Sequence, residues 1–183
     1  MSERFFPDSM PPPLADTTTL AWWQAAAEHR LVVQRCASCE HTWLPPAPIC
    51  PQCRSADSDW KEVSGRGEIY TYTIVHRPIA AGQALPYIIA VIALKDAGGV
   101  RILSNVVAVN PDDVEIGLPV ELVWEDMSAD LAIPRFRPRP GYSRPGKVIG
   151  GRREGARGGS EWPAVETGPA RTSSGQARWV GPA

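Results

Sequence analysis

Residues 36–53 read CASCEHTWLPPAPICPQC. Two Cys-x2-Cys pairs, Cys36/Cys39 and Cys50/Cys53, stand ten residues apart and contain every cysteine of the chain. Each pair is a short knuckle that aims two sulfurs at one point, so together they offer four thiolates to one tetrahedral ion. Such a site keeps no open position for water or substrate, and it builds a fold rather than running a reaction. One Zn²⁺ per chain is the expectation. Rubredoxin-type iron takes the same four ligands, so spacing leaves the choice of metal open. Two disulfides would suit a small secreted protein. The N-terminus MSERFFPDSMPPP, however, has no apolar segment of the signal-peptide kind. A redox dithiol needs one pair, not two facing ones. His41 lies two residues past Cys39, but four thiolates already complete the site. Pro45, Pro46 and Pro48 restrict the unfolded loop and lower the entropy lost on closing it around a metal.

On the N-terminal side, a Pro-rich extended segment leads to LAWWQAAAEH, with Thr17–Thr19 offering an N-cap. A helix over about 20–28 follows. Successive helical residues point about 100° apart, so Trp22 and Trp23 cannot both bury on one narrow face. One is expected to pack on its own domain and the other to serve as a partner contact. LVVQ at 31–34 reads as a strand entering the first knuckle.

On the C-terminal side, strands are expected over 60–63, 68–76, 87–94, 100–109 and 120–124, with a short edge strand over 133–136 that contains Pro134. The punctuation is Ser64-Gly65-Arg66-Gly67 as a turn, Asp96/Gly98/Gly99 as a hairpin, and Asn110–Asp113 as a turn or short helical cap. Closely spaced strands without long intervening helices suit a small closed antiparallel barrel, the five-stranded OB-fold. The fold class is therefore mainly β with an N-terminal helix, a segment closed around four cysteines, a five-stranded OB-fold and a disordered tail. The expected ranges are 1–30 for the extended segment and helix, 31–60 for the ribbon, 61–137 for the OB-fold and 138–183 for the tail.

A formal net charge of −1 hides a split. Residues 1–136 hold 10 Lys+Arg against 17 Asp+Glu, and residues 137–183 hold 9 against 3. The basic segment also carries ten of the sixteen glycines and lacks hydrophobic periodicity. It cannot bury enough apolar surface to offset its chain entropy. The longest apolar run, YIIAVIAL at 87–94, falls short of the ~20 residues that span a bilayer. A cytoplasmic protein with no membrane partner is expected.

These motifs resemble a family. A helix with adjacent aromatics, LVVQRCASC, PPAPICPQC, DWKEVSGRGEIYTYTIVHRP, PYIIAVIAL, VRILSNVV, IGLPVELVWED and IPRFRP together look like the zinc-ribbon/OB-fold accessory proteins long catalogued as a domain of unknown function. The resemblance covers roughly residues 15–138. It implies an N-terminal helix, a rubredoxin-like zinc ribbon and a C-terminal OB-fold, and an accessory subunit, not an enzyme on its own. Such a subunit binds a thiolase-like enzyme or a hot-dog-fold acyl-CoA hydratase in lipid or steroid-type metabolism, and holds or hands over acyl-CoA. Residue by residue, only Cys36, Cys39, Cys50 and Cys53 take an assigned role, as metal ligands.

No catalytic residue is expected. His29, His41 and His76 have no Ser or Cys nucleophile at motif spacing, and no P-loop or Gly-x-Gly-x-x-Gly is present. His76 and Arg77 close a strand and are candidates to meet a CoA phosphate. A different class of function is single-stranded nucleic-acid binding by the OB-fold, with Tyr70 and Tyr72 sharing a strand face as a stacking platform. The acidic balance of residues 1–136 has the wrong sign for a phosphate groove.

Overall fold

Helix α1, Leu20–Ala27, is entered through Asp16 rather than capped by a threonine hydroxyl alone. The Asp16 carboxylate accepts from the Thr18 and Thr19 N–H groups and from the Thr19 hydroxyl, while the Asp16 N–H donates to Thr19 Oγ1 at 3.0 Å. This reciprocal pair satisfies donors that the chain would otherwise leave open. The helix ends in a Schellman arrangement. His29 takes a left-handed backbone (φ 59°), its N–H reaches Ala26 O, and the Arg30 N–H reaches Ala25 O. His29 Nε2 then donates to Asp126 Oδ1, and its ring lies flat on Trp124. The helix terminus is thus fastened to the far strand of the barrel. The computed structural model describes residues 11–78 and 83–142. The tail expected over 138–183 lies outside the described residues from 143 onward.

Three strands form the ribbon sheet in the order β2-β1-β3: β1 Val32–Cys36, β2 Thr42–Trp43 and β3 Ser58–Glu62. Five strands close the barrel in the order β4-β5-β6-β8-β7: β4 Arg66–Val75, β5 Tyr87–Leu94, β6 Arg101–Val106, β7 Pro119–Ser128 and β8 Leu131–Pro138. A short 3-10 turn at Pro111–Asp113 is capped by the Asn110 side chain, as the Asn-Pro-Asp-Asp run implies. Closure removes the exposed edges that a small sheet would otherwise present.

Several strand expectations change: 120–124 lengthens to Pro119–Ser128, 100–109 shortens to Arg101–Val106, and Arg66-Gly67 open β4 rather than lie in a turn. The stretch 133–136 is not a short edge strand. It is the middle of the eight-residue β8, antiparallel to β7 along its length and parallel to β6 at Val106↔Phe136. Pro134 is tolerated because it lies on the stretch beyond that parallel pair, and its carbonyl still accepts from Ser104 Oγ at 2.6 Å. Tyr70 and Tyr72 do not share a face. The β4–β5 register shifts between Ile69 and Thr71, and a bulge reverses the alternation. Tyr70 is exposed under the Arg101 guanidinium, whereas Tyr72 packs on the core and donates to Val114 O.

Inward residues alternate along the barrel strands: Ile88, Ala90, Ile92 and Leu94 on β5, Ile102 and Val106 on β6, and the fully buried Phe136 on β8. Leu31, Val33 and Val63 from the ribbon side belong to the same cluster, so one core underlies ribbon and barrel. Each large side chain buried this way contributes about 1.5–3 kcal/mol. Polar links reinforce the join. Thr42 Oγ1 donates to Ala97 O at 2.6 Å, and Ser64 N–H donates to Asp96 Oδ2 at 2.8 Å.

Candidate metal centre

The two knuckles are built alike. In the first, Glu40 N–H returns to Cys36 O and Cys36 N–H meets His41 O; in the second, Arg54 N–H returns to Cys50 O and Cys50 N–H meets Ser55 O. These turns need the residue after the second cysteine in the left-handed region, and Glu40 (φ 59°) and Arg54 (φ 65°) supply it. No glycine marks these positions, so the sequence carries no signal for them beyond their place directly after Cys39 and Cys53.

The four Sγ atoms lie within 4.8 Å of one another, with Cys36–Cys53 at 3.5 Å and Cys39–Cys50 at 3.7 Å. An ion with Zn–S bonds of ~2.3 Å at the centre of a tetrahedron spaces its sulfurs about 3.8 Å apart. The cluster fits a metal of that size, and no disulfide joins any pair. Cys36 and Cys50 are buried, and Cys39 and Cys53 are exposed. Trp43 packs with Cys36 and Cys50 and closes the inner side. Gln34 Oε1 accepts the Ala47 N–H at 2.6 Å and holds the loop between the knuckles.

The backbone favours thiolate. Burial pushes the Cys36 thiol up, but the N–H groups of Cys39 and Ser38, with the Cys53 and Cys39 thiols, outweigh it and hold the group down at about 6. Cys39 behaves oppositely. The His41 N–H favours its thiolate, yet burial and hydrogen bonds to Cys53, Cys36 and Cys50 push it up to about 12. Gln52 N–H points at Cys50 Sγ at 3.4 Å. A divalent cation at the centre would replace the shared protons and leave all four sulfurs ionised.

The other singled-out residues lie elsewhere. His41 stacks on Trp43 and is not among the clustered donors. Trp22 packs on the core and donates from its indole N–H to Val32 O at 3.0 Å; Trp23 meets it edge-on. His76 and Arg77 are exposed just beyond β4. Among the described residues no helix is long and apolar enough to cross a membrane.

Residues 23–59 match the family described as "ChsH2, rubredoxin-like zinc ribbon domain" and residues 60–125 that described as "ChsH2, C-terminal OB-fold domain". A probable enoyl-CoA hydratase alpha subunit of Thermomonospora curvata is 40% identical over 128 residues, which are 70% of this chain and 40% of that protein. The chain thus spans well under half of that relative. A DUF35 domain-containing scaffold protein of Methanocaldococcus jannaschii is 35% identical over 113 residues, 60% of this chain and 78% of that one. Among solved structures, a chain of the Ltp2-ChsH2(DUF35) aldolase superposes with a TM-score of 0.65 at 39% identity, covering 69% of this chain and 98% of that one.

Proposed function

The chain belongs to the DUF35 family of ChsH2-type zinc-ribbon/OB-fold proteins, and we propose that it is a zinc-binding, non-catalytic accessory subunit of an acyl-CoA-processing enzyme. The observation that carries this reading is the likeness to the Ltp2-ChsH2(DUF35) aldolase chain, nearly all of which this chain covers. Relatives named as scaffold proteins and as a hydratase alpha subunit support it. The donor set agrees: a four-coordinate zinc held by Cys36, Cys39, Cys50 and Cys53 has no position left for a substrate. The partner proposed is a thiolase-like enzyme or an acyl-CoA hydratase, met through Trp22 and Trp23, in the cytoplasm. The accessory chain holds or hands over the acyl-CoA, with His76 and Arg77 at the exposed end of β4 facing its phosphates.

Purifying the chain together with the thiolase or hydratase encoded beside it tests this. Co-elution at fixed stoichiometry, with one zinc per chain, is expected. Separate elution and an enzyme activity indifferent to the added chain would refute the reading. One iron in place of zinc would correct the metal and leave the role standing.

A further inference from the structure

A groove of about 560 Å³ opens where helix, ribbon loop and barrel meet. Its walls are Trp22 and Trp23 from α1, Leu44 and Pro45 from the loop after β2, Leu103 from β6 and Ile133 from β8. Leu103 is 69% exposed. It pairs with Val91 across the sheet, and Ile89 and Val91 point outward with it. An outer barrel face normally alternates to polar residues; this one continues the apolar surface of the groove onto the sheet.

Charge is sorted as sharply as polarity. Arg101 stands at the rim with its guanidinium 3.6 Å over the Tyr70 ring, and among the described residues it pairs with no carboxylate. Arg135 lines the floor, held by Glu125 and Asn105. No Asp or Glu lines the groove, although residues 1–136 carry seven more acidic than basic side chains.

We propose that this groove docks the partner enzyme, through a segment presenting a bulky apolar side chain beside an Asp or Glu. The apolar group enters between Trp23 and Leu103, and the carboxylate reaches Arg101. The proposal rests on the accessory-subunit reading and gives it a surface. Rigid aromatics and arginine around an apolar centre are what binding hot spots are made of. Two other occupants are disfavoured by sign. A second copy joined across a twofold axis would bring Arg101 toward its own copy with no acid lining the groove to receive it. Residues 137–183, with six more basic than acidic side chains, would bring like charge to the same rim.

The test measures the affinity of the full chain for the purified thiolase or hydratase encoded beside it, by calorimetry at two salt concentrations. Arg101→Glu and Leu103→Asp, both at exposed positions, are expected to weaken binding tenfold or more with metal content and circular dichroism unchanged. The salt dependence should shrink for Arg101→Glu. Arg66→Glu, exposed but outside the groove, should bind as the unaltered chain does. Groove variants that bind normally would overturn the docking site while leaving the accessory role intact. An unaltered chain that does not bind would overturn both. A loss as large for Arg66→Glu would dismiss the pairing with Arg101. A chain that dimerises alone and is made monomeric by Leu103→Asp would reassign the face to self-association.

Discussion

Glu40 and Arg54 hold the same place in two matching turns: each follows the second cysteine of its knuckle, each is left-handed, and each returns its N–H to the first cysteine's carbonyl. A non-glycine residue in that conformation costs about 1–2 kcal/mol. Glycine removes that strain but loses some of the gain to a freer unfolded chain. Glu40→Gly and Arg54→Gly should therefore each stabilise the metal-loaded protein by about 0.5–1 kcal/mol in denaturant unfolding. A decrease at both sites would show that the side chains, not the backbone, matter there.

The metal should support more than the ribbon. Structural zinc supplies roughly 10–16 kcal/mol of apparent binding free energy that is also folding free energy. Leu31, just before β1, and Val33, within it, share their core with Ile92 and Phe136 of the barrel. Cys36→Ser or Cys50→Ser should lose the metal and also expose β5 and β6 amides to faster hydrogen exchange. Barrel amides protected as before would mean that the two regions unfold independently. Loading the metal-free protein near pH 7 should release protons, because Cys39 keeps its proton until the cation displaces it.

Gly65 is confined from two sides. Its φ is +68°, and a Cβ there would stand 2.4 Å from Leu122 Cβ. Gly65→Ala combines left-handed strain of about 1–2 kcal/mol with overpacking of about 1–3 kcal/mol. A loss of roughly 2–5 kcal/mol in urea unfolding is expected. A loss of only about 1–2 kcal/mol, that of the backbone strain alone, would mean that β7 shifts freely to admit the methyl group.

The clustering of the four cysteines and the barrel are legible because each leaves a short-range signature: cysteines paired with two residues between them, and strands punctuated by Gly65, Gly98/Gly99 and Asn110-Pro111. Part of what is not legible depends on partners distant in sequence, and part on local turns that no glycine marks. Thr42–Trp43 is too short to show any period, and it is a strand only because β1 lies beside it. Pro134 is a local signal against a long strand, and the two-sided pairing of β8 overrides it. The bulge at Tyr70 has no glycine to announce it, yet it decides which tyrosine faces solvent. Glu40 and Arg54 escaped for the same reason. Asp16 is masked in the sequence by the three threonines after it, any of which is an N-cap residue type, yet its carboxylate is the one that reaches the N–H groups of Thr18 and Thr19.

Arg135 and Glu125 form an ion pair at 2.8 Å with side chains only 5% and 13% exposed. Burial lowers the arginine's affinity for its proton, and Glu125 opposes this. Removing one partner of such a pair costs about 3–5 kcal/mol, whereas replacing both by apolar groups is often close to neutral. Glu125→Leu alone should be strongly destabilising, and Glu125→Leu with Arg135→Met markedly less so. A double-mutant cycle with no coupling would deny that the pair acts as a unit.

Asp96 carries the pH dependence of the join between ribbon and barrel. Burial raises its carboxyl, but the Ser64 backbone N–H and hydroxyl outweigh it, and the group titrates below its ordinary 3.8. A depressed native value means that the stabilisation is present above the unfolded value and is lost as pH falls through the native one. Stability of the unaltered chain should therefore fall from about pH 4 downward. Acid also strips metal from thiolates, so the informative quantity is the difference from Asp96→Asn. That variant keeps the acceptor for Ser64 N–H but has no proton to bind. The difference should be largest above pH 5 and shrink toward pH 3. A constant difference across that range would mean that Asp96 contributes through shape alone.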